Sequence, residues 1–212
     1  MNRYEKNKKL LSESYNYDQS MEHDACGVGM IAATDGKKSR KIVDYGIEAL
    51  KAIWHRGAVD ADGKSGDGAG IQIEIATEFF KDKIIATGHD PDVSKRICVG
   101  MVFLPRTDYL EQEKCREIIE SILLEENYSI YGWRQVPINS SVLGKTAEQS
   151  RPEIAQVMFK KNKNLETNDL ERNLFETRKK IEKLARKNQL KNFYICSFSS
   201  RSIVYKGMFL AE

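Results

Sequence analysis

The 212-residue sequence has few cysteines, no long apolar run and almost no excess of charge. Each scarcity removes a class of function. Cys26, Cys98, Cys115 and Cys196 are scattered without disulfide-framework spacing, which suits a reducing, cytoplasmic setting. No CxxC pair or Cys/His cluster occurs, so the expectation for metal is none. No stretch approaches the roughly 20 apolar residues of a membrane span. Residues 1–25 are polar and mixed in charge with no apolar h-region, which argues against a secretory signal. Lys and Arg number 34 against 31 Asp and Glu, a net charge of +3 that gives no pull toward nucleic acid or membrane. Internal repeats and low-complexity tracts are absent as well.

What is present suffices for a packed core, with 41% apolar and 9% aromatic residues. The length allows one domain, or two small ones, at about 100–200 residues per domain. Residues 1–25 read as a leader with at most a short turn around Leu10 and Leu11. Residues 26–34 read as a strand, because VGMIAA is a continuous apolar run. Ser39 is a candidate N-cap for an amphipathic helix over 40–55, with Ile42, Val43, Gly46, Ile47, Leu50, Ile53 and Trp54 on one face. Gly46 lies inside that face, where a missing side chain lets another element approach. Ile71, Ile73 and Ile75 alternate as a strand. A short helix over 77–86 follows, then a strand over 97–104. Asp108, with Glu111 three residues on, caps a helix running to about Asn127. Its predicted inner face is Leu110, Cys115, Ile118, Ile119, Ile122 and Leu123. Strands are expected at 128–138 and 153–160, with a Ser-rich loop between them. A long helix over 168–188 carries Leu170, Leu174, Ile181 and Leu184 inward. Residues 192–199 and 202–210 are expected to form a hairpin around Ser199-Ser200-Arg201. Clustered strands and an antiparallel hairpin favour an α+β layered fold over a doubly wound parallel sheet.

Two stretches fit no regular element. Residues 57–70 hold five glycines and three aspartates in fourteen positions, which demands a loop with unusual backbone angles. It has neither a phosphate-loop signature nor the acid spacing of a calcium loop. Asp60, Asp62 and Asp67 are expected to fasten it through Asx-type hydrogen bonds. The other stretch is Asp24-Ala25-Cys26-Gly27-Val28-Gly29. Cys26 could be a buried cysteine opening a core strand, a metal ligand without visible partners, or a nucleophile exposed by processing at a new N-terminus. Local sequence does not choose among the three.

Together the two stretches do. DACGVGMIA, HRGAVDADGKSGDGAGI, GWRQVP, RPEIAQVMF and VYKGMFLAE, in this order over residues 20–212, resemble the glutaminase domain of glutamate synthases. Such domains are class II glutamine amidotransferases with an N-terminal-nucleophile hydrolase fold, four layers in αββα order. The resemblance implies a leader over 1–25 cleaved after Ala25, with residues 26–212 as the N-terminal part of the domain and Cys26 as its catalytic residue. It places Arg56 near the nucleophile, where a cation favours thiolate, and Gly27 where it keeps the surroundings open to L-glutamine. Asp60, Asp67 and Gly68 would structure the loop. His55 is read as packing against the helix. The family's carboxylate-binding arginine and oxyanion-hole Asn-Gly lie in strings like RFSTNT and HNGE, which do not occur here. The expectation is therefore an incomplete domain with negligible glutaminase activity of its own. No cofactor is expected on this piece. FMN, an iron–sulfur cluster and NADPH or ferredoxin as electron donor belong to the rest of such an enzyme, and a small NADPH-oxidising subunit is a possible partner.

Three rivals remain. Residues 160–191 hold eleven Lys/Arg against five Asp/Glu, which a nucleic-acid-binding module would use and a solvated helix face would equally show. A non-catalytic domain would keep Cys26 in its core. Another class II amidotransferase, forming phosphoribosylamine or glucosamine phosphate, is the nearer alternative, and GWRQVP and RPEIAQVMF resemble neither.

Overall fold

A computed structural model describes residues 2, 3, 5–7, 9, 27–53, 57–208 and 210. The expected turn at Leu10 and Leu11 lies outside them. A four-stranded antiparallel sheet forms the centre, in the order β3 (Tyr128–Gln135), β4 (Glu153–Lys161), β2 (Cys98–Leu104), β5 (Tyr194–Ser199). β1 (Ala69–Glu74) and β6 (Ser202–Gly207) make a separate antiparallel pair, with Ile73 opposite Ile203.

Alternation along the central strands gives the sheet two buried faces. Cys98, Val102 and Leu104 of β2, Ala155, Val157 and Phe159 of β4, and Ile195 and Phe198 of β5 form one. A bulge at Met101/Val102 shifts the β5 register, so that two residues an odd number apart, Ile195 and Phe198, join the same cluster. This face packs on helices α3 (Tyr109–Glu125) and α5 (Thr167–Lys187). Val99, Met101 and Met158 belong to the other face, packed with Ile203 of β6 and with Phe80 and Ile84 of α2 (Thr77–Ile85). Helix α1 (Arg40–Ala52) rests on β1, where a Cβ on Gly46 would lie 3.1 Å from Ile71 Cδ1. The small residue on that helix face therefore serves close approach.

Several expectations are corrected. Gly27–Ala33 is not a strand: Val28 is 91% and Met30 89% exposed, and a run with no neighbouring strand has no ladder to join. The pair 192–199 and 202–210 is not a hairpin, because β5 pairs with β2 and β6 with β1. The turn between them carries the chain from one sheet to the other. Glu171 of α5 holds that turn, accepting from Ser199 Oγ at 2.8 Å, Ser200 N at 2.8 Å and Ser200 Oγ at 2.6 Å. Leu110 points to solvent, 79% exposed, while Cys115, Ile118, Ile119, Ile122 and Leu123 are buried as the spacing predicts. Asp108 does cap α3, its carboxylate accepting from Glu111 N at 2.9 Å. The Ser-rich loop contains a 3-10 turn, Ser140–Val142, and a short helix α4, Lys145–Ser150, which lack enough apolar residues to be predicted.

The basic stretch 160–191 is partly neutralised in place. Lys160 pairs with Asp92, Lys180 with Glu126, and both Arg178 and Lys179 with Glu182. Asp92 also accepts from the Ser94 hydroxyl, and that bond together with the Lys160 ammonium lowers its carboxyl from 3.8 to about 2. A carboxylate whose folded value is depressed adds stability above its unfolded value and loses it as pH falls through the folded one. Asp92→Asn should therefore lower the urea midpoint at pH 7, with the deficit closing between about pH 4 and pH 2. An equal deficit at pH 2 and pH 7 would mean that packing, not charge, ties Asp92 down.

Candidate active site

The glycine- and aspartate-rich loop is a closed structure tied across its own neck. Val59 and Gly66 form an antiparallel bridge, Asp60 N donates to Ser65 O at 2.9 Å, and Asp67 N donates to Ala58 O at 3.3 Å. Asp67 returns the bond through its side chain, Oδ2 accepting from Ala58 N at 3.0 Å. Asp60 Oδ1 accepts from Ala61 N at 2.7 Å, and its carbonyl accepts from Gly63 N at 2.9 Å. Asp62 Oδ1 takes the N–H groups of Lys64 and Ser65 at 2.9 and 2.7 Å, while Oδ2 takes the Ser65 hydroxyl at 2.6 Å. These bonds hold the Asp62 carboxyl well below the usual carboxylate range, the Ser65 hydroxyl contributing most.

Gly68 carries the loop into β1. Its φ of +104° lies where side chains are strained, and a Cβ there would meet Gly207 O at 2.9 Å. Gly27 is exposed at the head of the unpaired apolar run. Cys26, His55 and Arg56 lie outside the described residues. The loop and Gly27 are thus placed.

The remaining motifs turn out to be packing devices. In GWRQVP, Trp133 Nε1 donates to Glu120 Oε1 of α3 at 2.6 Å, and the Arg116 guanidinium stacks on its ring at 4.6 Å. Arg134 donates to Gln156 Oε1 at 2.7 Å and lies 5.1 Å over the Phe79 ring. Gln156 is fully buried between the sheets and spends its acceptor on Arg134. Arg151, opening RPEIAQVMF, shares Glu148 with Arg106. Among the described residues, no group of three His, Cys, Asp or Glu side chains could hold a metal ion.

Residues 26–212 match the sequence family described as glutamine amidotransferases class-II. The chain belongs to the class II glutamine amidotransferases. Three similar proteins are glutamate synthases. The chain is 53% identical over 207 residues to the glutamate synthase [NADPH] large chain of Azospirillum brasilense, covering 97% of itself and 14% of that protein. It is 45% identical over 203 residues to the ferredoxin-dependent glutamate synthase of Pyropia yezoensis, covering 94% of itself and 13% of the relative. Against ferredoxin-dependent glutamate synthase 2 of Synechocystis sp. the identity is 39% over 188 residues, 88% of this chain and 12% of the relative. The chain thus spans only about one-seventh of the length of the relative from Azospirillum brasilense. As an amidotransferase domain of class II it shows the mixed α/β organisation with antiparallel sheets described above.

Proposed function

We propose that this chain is the glutamine-hydrolysing part of a glutamate synthase, with Cys26 as the nucleophile. The carrying observation is the family match, which begins at Cys26 and runs through the loop following Arg56. The high identity to glutamate synthases supports that enzyme over other amidotransferases. In this reading residues 1–25 are removed and the α-amino group of Cys26 is freed. An α-amine ionises near pH 7.7–8.0, close to ideal for a base at neutral pH, whereas the amide nitrogen of an uncut chain has no such basicity. The Cys26 sulfur attacks the side-chain carbonyl carbon of L-glutamine. Ammonia leaves with the proton the amine carries, and water hydrolyses the γ-glutamyl thioester to glutamate. Arg56 favours the thiolate as a nearby cation.

The layers follow the same reading. Helices α3 and α5, the four-stranded sheet, the β1–β6 pair and α1 are consecutive layers of an αββα N-terminal-nucleophile hydrolase fold. Gly46 against Ile71 and the cluster between the two sheets support that order. The enzyme would convert glutamine and 2-oxoglutarate to glutamate in the cytoplasm. The remaining domains of the large chain, and a small subunit where NADPH is the donor, would carry FMN, the iron–sulfur cluster and electron transfer. Relatives named for NADPH and for ferredoxin are both similar to this chain, so either donor fits. No helix among the described residues is long and apolar enough to cross a membrane.

Thiol reactivity tests the assignment. Burial pushes the Cys115 thiol up to about 12, and it raises Cys98 and Cys196 as well, so all three are inert at neutral pH. A brief treatment of the mature enzyme with iodoacetamide at pH 7 should alkylate Cys26 first, and added glutamine should protect it. Labelling of Cys98, Cys115 or Cys196 ahead of Cys26 would remove Cys26 from the nucleophile's role.

A further inference from the structure

Asp62 differs from its two neighbours because its bonds leave the loop. Beyond Lys64 and Ser65, its Oδ2 accepts from Thr146 N at 3.2 Å, and Ser65 Oγ accepts from Ala147 N at 3.0 Å. Both donors belong to the first turn of α4, a helix whose own N-cap residue, Gly144, has no side chain to offer. Asp62 and Ser65 therefore serve as the cap of a helix about 80 residues further along the chain. The join is tight. Ser65 is 1% exposed, and a Cβ on Gly144 would sit 2.2 Å from Asp62 Oδ2 and 2.4 Å from Ser65 Oγ. Helix α4 is itself fastened, since Glu148 binds both Arg106 and Arg151.

Along the chain, the neck of the loop lies between this join and Arg56. Ser65 O receives Asp60 N, Val59 bridges Gly66, and Ala58 exchanges two bonds with Asp67. One residue, Gly57, then separates Ala58 from Arg56. The ladder thus runs from Ser65 to within two positions of Arg56 along the chain.

We propose that Asp62 and Ser65 are positioning residues for glutamine hydrolysis, latching the loop that follows Arg56 to the first turn of α4. This rests on the reading of Cys26 and Arg56 given above. In this role the two residues act through the loop, not through contact with substrate. The latch fixes where the loop's neck stands and so where Arg56 can place its charge beside the Cys26 thiolate. A misplacement of about an ångström can cost up to about 10²-fold in rate.

The test uses the complete mature enzyme carrying Asp62→Asn or Ser65→Ala. The amide keeps one acceptor oxygen, so it cannot serve Lys64 N and Ser65 N at one position and the Ser65 hydroxyl and Thr146 N at the other, and the alanine loses one hydroxyl. Both variants should lower kcat/KM for glutamine by about 10- to 100-fold and slow iodoacetamide labelling of Cys26. Synthesis from ammonia, which bypasses the glutaminase, should keep its wild-type rate. Wild-type glutamine kinetics in both variants would overturn the proposal. So would loss of glutamine- and ammonia-dependent rates together with unchanged Cys26 labelling, which marks a purely structural join. Should Asp62→Asn fail to fold, the single-hydroxyl change Ser65→Ala carries the same test. Cys26→Ala serves as the control. If it keeps glutamine-dependent turnover, the nucleophile reading fails; if it is inactive while Asp62→Asn and Ser65→Ala are both normal, only the latch fails.

Discussion

Cys26→Ala should abolish glutamine-dependent glutamate synthesis and leave ammonia-dependent synthesis intact. Where a nucleophile and its base act as a unit, deleting the nucleophile costs on the order of 10⁶ in turnover. Here the unit is unusually compact, because thiol and amine would belong to one residue. Cys26→Ser should restore very little, since a hydroxyl is far less ionised than a thiol beside the same amine. Ammonia supplied from solution replaces the product of the missing step, so the synthase reaction downstream is spared. Initial rates with glutamine and with ammonium chloride, measured on one preparation, separate the two. Equal loss of both would make Cys26 a structural residue. N-terminal sequencing supplies the companion measurement: active enzyme should begin at Cys26, and Met1 on fully active enzyme would leave the amine unavailable as base.

Sequence periodicity located the elements whose burial is one-sided and complete. Helix α5 is legible because Leu170, Leu174 and Ile181, spaced for one face, are all buried. Helix α3 shows that apolarity without spacing misleads: at about 100° per residue Leu110 falls nearly opposite the stripe of Cys115, Ile118, Ile119, Ile122 and Leu123, and it is exposed. The hairpin expectation failed for a different reason. Two short strands around Ser199-Ser200-Arg201 look alike whether they pair with each other or cross between sheets. The decision is made by Glu171, 28 residues from Ser199, and by partners β2 and β1. Of the site, the loop announced itself through glycine and aspartate, whereas its attachment to α4 was invisible. Asp62, Ser65 and Gly144 carry no shared pattern, and only the fold brings them within hydrogen-bonding distance.

The run Gly27–Ala33 should bind a partner strand in any longer protein on the scale of the relatives, and its behaviour in isolation should betray that need. Val28 and Met30 are almost wholly exposed beside the proposed nucleophile. Among the described residues the β1–β6 pair is two-stranded, and no strand lies along the outer edge of β1. On α1, Ile42, Val43, Ile47 and Leu50 form an apolar stripe, yet none is fully buried. Full burial of such a side chain is worth about 1.5–3 kcal/mol, so half-covering four of them forfeits several kcal/mol that α5 retains. The 212-residue chain by itself should therefore bind anilinonaphthalene sulfonate. Hydrogen exchange should be fast at Val28–Ala33 and along α1, while β2, β4 and α5 exchange slowly, because local opening follows the contacts that are missing. In the full-length enzyme the amides of Val28–Ala33 should become protected and the dye signal should disappear. Slow exchange at Val28–Ala33 in the isolated chain would show that the run is already paired there. Fast exchange in the full-length enzyme would show that it needs no partner, and that the nucleophile stands on an unpaired segment.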